Sequence, residues 1–259
     1  MNIKLKNIIF ILLLLTVCMT IEAQVKIIAH RGASYLAPEN TVAATKLAWE
    51  KGADAAECDI WLSKDNKIIV CHDASTKRTT GQNHQISKTD SGILRELDAG
   101  SYKDEQYRGE KLPFLYELLQ TVPPGKELVV EIKCKNEVLP YLKKEVEKYK
   151  EQTSITFICF DFNTICETKE VFPDHPCYWL CSNALMLNSN LKKVAGAKLN
   201  GVSLHYSIID KDLMEHTEDL GLEVYSWTID DPEEAKRLIA LEVKGITTNR
   251  PGWLREQIQ

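Results

Sequence analysis

Three short polar groups close otherwise apolar runs between Val25 and Asp73, and they are where this sequence could do chemistry. His30-Arg31-Gly32 ends the run Val25-Lys26-Ile27-Ile28-Ala29, Glu57-Cys58-Asp59 ends Ala55-Ala56, and His72-Asp73 ends Ile68-Ile69-Val70-Cys71. Successive side chains of a strand alternate faces, so Glu57 and Asp59 point the same way. Two carboxylates side by side repel unless something neutralises them. A bound cation is the usual remedy, and an all-oxygen site suits calcium or magnesium. A third acid, Glu131, follows Leu128-Val129-Val130, which reads as a strand buried on both faces. An unpartnered carboxylate there would be costly. Ion pairs with Arg31 and Lys133 are the alternative to a metal. Three acids outnumber two cations, however, which favours Glu57, Asp59 and Glu131 as ligands of one divalent cation. A guanidinium beside His30 fits a phosphate or carboxylate substrate, with Arg31 gripping as a fork and Lys133 adding a point charge.

These groups need rigid elements to carry them. Strand candidates fall at 25–30, 54–60, 67–72, 127–133, 154–160, 177–181, 201–205, 222–228 and 244–248. They alternate with helical patterns, which argues for an α/β class and a TIM-like (β/α)8 barrel, with the site at the C-terminal ends of the strands. A barrel of that kind needs one strand fewer, and the pattern does not say which run is surplus. Asn40 reads as the cap of a helix over 41–51 that Gly52 ends, with Val42, Thr45 and Trp49 as its stripe. Pro140 starts another helix, carrying Leu142, Val146 and Tyr149 at helical spacing. Asp210 opens a third that closes at Gly221, and Asp231-Pro232-Glu233-Glu234 is a clear start for a fourth. A short helix over 252–257 closes the chain. Ser63-Lys64-Asp65-Asn66 looks like a hairpin turn. A hairpin would place His72 at the opposite end of the sheet from Glu57, so the expectation is instead a parallel pair joined by an irregular, extended return. The polar stretch 74–111 follows His72 directly and is too long for an idle loop, so it is expected to form a small cap over the same mouth.

Taken in order, His30-Arg31-Gly32, Pro38-Glu39-Asn40-Thr41, Glu57-x-Asp59, His72-Asp73, Glu131-Ile132-Lys133, Trp227-Thr228 and Gly245-Ile246-Thr247-Thr248 closely resemble the glycerophosphodiester phosphodiesterases. Each motif alone is weak; the likeness rests on their order and covers essentially the whole chain after residue 24. The barrel is similar to that of phosphatidylinositol-specific phospholipases C. The resemblance implies hydrolysis of a small phosphodiester to glycerol 3-phosphate and an alcohol, assisted by calcium or magnesium. It implies His30 and His72 as the acid and base, without saying which is which. The attacking group in such enzymes can be a hydroxyl of the substrate's own glycerol, giving a cyclic phosphate that water opens. Trp227 and Phe160, at strand ends, either wall the glycerol side of the pocket or pack in the core. His205 ends a strand near the mouth, and Asp73, Glu39 and Asn40 stand beside the principal groups. One departure is Asn249, where the family usually has an aspartate: asparagine keeps the accepting oxygen and loses the charge. The rival readings are a lysophospholipase D acting on a lipid-tailed relative, which the polar 74–111 stretch does not favour, and a non-catalytic binding protein on the same barrel, against which the intact histidines and acids argue.

Lys4 and Lys6, the apolar run from Ile8 to Val17, and Ile21-Glu22-Ala23 read as a secretory signal peptide over 1–23, leaving one barrel domain over 24–259 and a secreted or periplasmic protein. The run is short for a membrane span. Leu15-Thr16-Val17-Cys18 faintly resembles a lipoprotein box, but Val17 is larger than the residue usual before a lipidated cysteine. With a net charge of −5 and no basic run, nucleic acid is not the expected partner. Oligomeric state is not legible. Of the eight cysteines, Cys58, Cys71, Cys134 and Cys159 sit on or beside strands, where thiols behave as small buried hydrophobes. Cys177 and Cys181 are separated by about 13 Å of strand, too far for a bridge. Mostly reduced thiols are expected, with at most one or two disulfides.

Overall fold

The computed structural model describes residues 25–259; the expected signal peptide and Cys18 lie outside them. Among the described residues there are nine strands: β1 Lys26–Ala29, β2 Ala55–Leu62, β3 Ile68–Val70, β4 Glu127–Ile132, β5 Ser154–Cys159, β6 Cys177–Cys181, β7 Gly201–His205, β8 Glu223–Trp227 and β9 Gly245–Thr248. All pairings except β2–β3 are parallel, and the sheet runs β1-β9-β8-β7-β6-β5-β4-β2, with β1 also pairing β2, so eight strands close into a barrel. β3 is the surplus strand and lies outside the ring on the edge of β2.

The period of two sorts each strand into an inner and an outer set. Ile28, Ala55, Val129, Ile158, Tyr178 and Leu180 fill the barrel interior together with Tyr225 and Trp227. Their neighbours Ile27, Ala29, Ala56, Cys58, Ile60, Leu128, Val130, Ile132 and Phe157 face outward into a larger apolar shell shared with the helices. Burial of each such aliphatic side chain is worth roughly 1.5–3 kcal/mol, and the shell is why these strands read as nearly continuous hydrophobic runs. Helices Val42–Glu50, Leu139–Val146, Phe162–Val171, Ala184–Gly196, Lys211–Asp219, Pro232–Ala240 and Pro251–Ile258 cover it. The sequence pattern marks neither Phe162–Val171 nor Ala184–Gly196, which Asp161 and Asn183 cap.

Two expectations are corrected. First, β2 and β3 are antiparallel, with Ile60 opposite Val70 and Leu62 opposite Ile68. The turn is a true hairpin: Ser63 N–H donates to the Lys67 carbonyl at 2.9 Å, and Asn66 takes the left-handed conformation (φ 61°). His72 still reaches the mouth because β2 is longer than the barrel wall: its last residues project past the rim, and the hairpin brings the chain back down. Cys71 N–H then donates to the Asp59 carbonyl at 2.9 Å. Second, Asn40 does not cap the first helix. Thr41 does, accepting from the Ala44 N–H, and Asn40 is buried against Asp59 instead.

The excursion at 74–111 is built of short turns of helix, including Lys77–Thr80 and Ser91–Glu96. It carries a small core of its own, in which Ile86, Leu94, Leu97, Ala99 and Leu112 pack against Ile69 and Cys71 of the hairpin. It docks on the loop after β1: Lys103 donates to the Ser34 carbonyl, Tyr107 to the Leu36 carbonyl, and Tyr102 accepts from Glu39 N–H. The seven cysteines of the described residues are all free thiols. No described helix is long and apolar enough to cross a membrane.

Candidate active site

The inward parity of β2 and β4 builds the acidic centre. Glu57 and Asp59 share the inner face of β2, and Glu131 lies directly across from Asp59 in the β2–β4 register. Ligand oxygens from the three lie within 4.8 Å of one another, the one such acidic or metal-ligating group found among the described residues. Glu57 and Asp59 are almost fully buried. Burial, and then the charges of Asp59 and Glu131, push the Glu57 carboxyl well above the ordinary range. Burial and Asp59 raise Glu131 to about 7 even though Lys133 pulls it down. Lys133 Nζ stands 2.8 Å from Glu131 and 3.5 Å from Asp59, and Arg31 Nε stands 3.4 Å from Asp59. These cations leave the cluster underneutralised. Glu57 Oε1 and Asp59 Oδ1 are buried without a hydrogen-bond partner, the state expected of oxygens that await a cation. The donor set fits calcium or magnesium.

Around the acids, a cavity of about 190 Å³ is lined by His30, Arg31, Glu57, His72, Glu131, Lys133, Ile158, Phe160, Leu180, Ser203, Trp227, Thr228 and Thr247. The structure thus brings together eight of the nine sequence-predicted site residues as lining, and Asp59 sits beside them at the buried base. The loop after β1 makes this possible through unusual backbone. Arg31 (φ 56°) and Gly32 (φ 78°) are both left-handed, and a Cβ on Gly32 would come within 2.5 Å of the Ala44 backbone. A non-glycine residue in that region is uncommon; at Arg31 it turns the backbone N–H onto Glu57 Oε2 at 2.8 Å.

The two histidines are held differently. His30 hydrogen-bonds through Nδ1 to Asn249 Oδ1 at 2.7 Å. The Asn249 amide nitrogen donates in turn to Asp230 Oδ2 at 2.6 Å, and Asn249 N–H and Thr248 Oγ1 donate to Asp230 Oδ1. The carboxylate expected at position 249 is therefore present one hydrogen bond farther out. Burial, reinforced by Arg31, lowers His30 to about 4 against the pull of its Asn249 bond. His72 pairs through Nδ1 with Asp73 Oδ1 at 2.6 Å. Asp73 Oδ2 accepts from Arg78 Nε at 2.7 Å, and Arg78 together with His72 holds that carboxyl down at about 2 against burial.

Phe160 and Trp227 meet edge to face at 5.6 Å, and Trp227 Nε1 donates to the Ser203 carbonyl. Both line the cavity, Phe160 with nearly half of its surface open. His205 packs edge-on to Trp227 at 5.3 Å and stacks on Tyr206, outside the lining. Asn40 Nδ2 donates to Asp59 Oδ2 at 2.7 Å and its Oδ1 accepts from Asp59 N–H, so it orients an acid of the cluster. Sequence reasoning missed Asp230 and Arg78. Asp230 had one signal: it precedes Asp231, which alone caps the following helix, so one of the two acids was free for another task. Arg78 had none, standing in a polar loop whose partners are remote in sequence.

A barrel with an acidic cluster, two imidazoles and two cations at its C-terminal mouth has the groups needed to bind a phosphate and to move protons. The profile of the glycerophosphoryl diester phosphodiesterase family matches residues 30–253, and the chain belongs to that family. It is 31% identical over 233 residues to the glycerophosphodiester phosphodiesterase of Caldanaerobacter subterraneus subsp. tengcongensis, covering 87% of this chain and 94% of that one. It is 25% identical to a human lysophospholipase D, covering 89% and 85%. The structure resembles that of an Oleispira antarctica phosphodiesterase in complex with the product sn-glycerol-3-phosphate, with a TM-score of 0.79, 28% identity, and 90% and 96% of the two chains covered.

Proposed function

We propose that the enzyme hydrolyses small glycerophosphodiesters to sn-glycerol 3-phosphate and the free alcohol, with His30 as general base and His72 as general acid. The observation that carries the assignment is the difference between their partners. His30, half-buried beside Arg31 and bonded to a neutral amide, is kept uncharged, with Nδ1–H given to Asn249 and the Nε2 lone pair left to accept a proton. His72 has a carboxylate on Nδ1, which compensates positive charge on the ring. Glu57, Asp59 and Glu131 would hold one divalent cation, which when bound supplies Lewis-acid polarisation of a phosphoryl oxygen. Arg31 and Lys133 bind the phosphate charge. His30 takes the proton of the attacking hydroxyl, and His72 gives its proton to the departing alkoxide; water reverses the roles if a cyclic phosphate forms first. Phe160 and Trp227 wall the glycerol.

The product named for the Oleispira antarctica structure supports sn-glycerol 3-phosphate as the phosphate half. A lipid-tailed substrate is the second reading, favoured by Phe160, Leu185 and Met186, large apolar side chains exposed near the ends of β5 and β6. Turnover of glycerophosphocholine against lysophosphatidylcholine separates the two.

The roles are tested with alanine at each histidine. Both variants should lose about 10²–10⁴-fold in kcat on glycerophosphocholine. On a nitrophenyl ester, whose leaving group needs no proton, His72→Ala should recover much of its rate while His30→Ala stays slow. Recovery by His30→Ala alone would reverse the assignment, and turnover within a few-fold of the parent in both would remove it.

A further inference from the structure

Arg78 lies on the 74–111 excursion, five residues past Asp73, and it does not line the cavity. Its guanidinium nevertheless meets both halves of the site. Nε donates to Asp73 Oδ2 at 2.7 Å, while Nη1 and Nη2 fork onto Glu39 Oε2 and Oε1 at 2.7 and 2.8 Å. Asp73 is the partner of His72 at 2.6 Å, and Glu39 Oε1 also accepts from Arg31 Nη1 at 2.9 Å. One planar group thus lies between the proton-transferring imidazole and the phosphate-gripping guanidinium.

We propose that Arg78 is a positioning residue that couples His72 to Arg31, setting the first through Asp73 and the second through Glu39. The proposal rests on the reading of His72 as an acid and Arg31 as an anion grip. The fork geometry is what the role requires. Glu39 shares one oxygen between two arginines, so without Arg78 its carboxylate can rotate toward Arg31 and draw that side chain out of line. Asp73 spends one oxygen on His72 and the other on Arg78, so without Arg78 nothing fixes the plane in which it holds the ring. A lysine supplies the charge but not three donors in a rigid plane. Burial raises the Glu39 carboxyl, but the bonds and charges of Arg78 and Arg31 outweigh it and hold Glu39 at about 2, so the bridge stays ionised through neutral pH. The excursion thereby gains a purpose: its helix Lys77–Thr80 carries the bridge, ended by Gly81 in the left-handed conformation.

The test uses the full chain and reads KM and kcat separately on glycerophosphocholine. Arg78→Ala should raise KM and lower kcat, each by about 10-fold, as expected when charge-assisted, planar contacts are lost. Glu39→Gln should move mainly KM, and Asp73→Asn mainly kcat. Guanidinium ion at sub-denaturing concentration should restore part of both parameters in Arg78→Ala and neither in the parent. Arg78→Lys, which preserves charge and is the safeguard against misfolding, should recover only part of the loss. A parent-like Arg78→Lys, or an Arg78→Ala that changes only one parameter, would overturn the proposal. If the parent itself fails to turn over glycerophosphocholine, the activity reading fails instead. The imidazole nitrogen resonances of His72 then decide the matter: they should shift in Arg78→Ala, and unchanged resonances would refute the bridge.

Discussion

Exchanging the partners of His30 tests the base most sharply. In Asn249→Asp/Asp230→Asn, the carboxylate moves from the far end of the relay to direct contact with Nδ1, where Asn249 Oδ1 now stands at 2.7 Å. With about 4 Å between charge centres and an effective dielectric constant near 20, a full charge there favours the imidazolium by about 4 kcal/mol. The charge removed at Asp230 was about twice as distant and gave roughly half of that, so the net gain is about 2 kcal/mol, or 1–2 pKa units at about 1.4 kcal/mol each. A base must be neutral to act, so raising its pKa from about 4 moves the acidic limb of kcat/KM toward neutrality. Rates well below the limb should fall by about 10–100-fold while the alkaline plateau changes little. The assay is glycerophosphocholine hydrolysis across pH, with folding checked by circular dichroism. The single change Asn249→Asp serves as a control. It sets a second carboxylate where Asn249 Nδ2 now donates to Asp230 at 2.6 Å, so it should destabilise the fold through like-charge repulsion. A limb that does not move in the folded double variant would refute His30 as the base.

Two further outcomes follow from the buried acids. Glu57→Gln should abolish tight calcium or magnesium binding in calorimetry and most turnover with it. In the parent the affinity should climb with pH, because Glu131, at about 7, and Glu57, pushed up by burial and its acidic neighbours, must shed protons to bind. Away from the site, burial raises Glu145 to about 7 against Tyr116, Lys148 and Lys67. A carboxyl whose folded pKa is raised stabilises the fold below its unfolded value and loses that contribution as pH rises from about 4.5 through 7. Glu145→Gln should therefore flatten this alkaline decline, by about 1–3 kcal/mol in denaturant titrations; a decline of unchanged slope would show that Glu145 does not cause it.

Much of the site was legible because its groups stand at strand ends, where a charge closing an apolar run has little structural excuse. Glu57 and Asp59 follow from the period of two, and Glu131 from the cost of a carboxylate on a buried strand. The direction of β3 was not legible. It depends on how far β2 runs beyond the rim, and Ile60-Trp61-Leu62 look the same whether they end in the wall or project from it. The hairpin signal in Ser63-Lys64-Asp65-Asn66 is sound, and that hidden length is what lets a hairpin keep His72 at the mouth. Asn40 and Thr41 are both good caps in isolation; tertiary demand from Asp59 assigned them. Arg78 and Asp230 act through partners distant in the chain, and no local spacing records such contacts. Residue 249 illustrates the same limit, since asparagine there reads as a lost charge until Asp230 is seen behind it.

The measurement that bears most directly on the account is the release of sn-glycerol 3-phosphate from glycerophosphocholine by the purified enzyme, before chelation, after it, and after return of calcium or magnesium. The account predicts turnover that disappears with the chelator and returns with one of the two ions. Full turnover in the chelated protein would contradict it, leaving Glu57, Asp59 and Glu131 as partners of Arg31 and Lys133 alone.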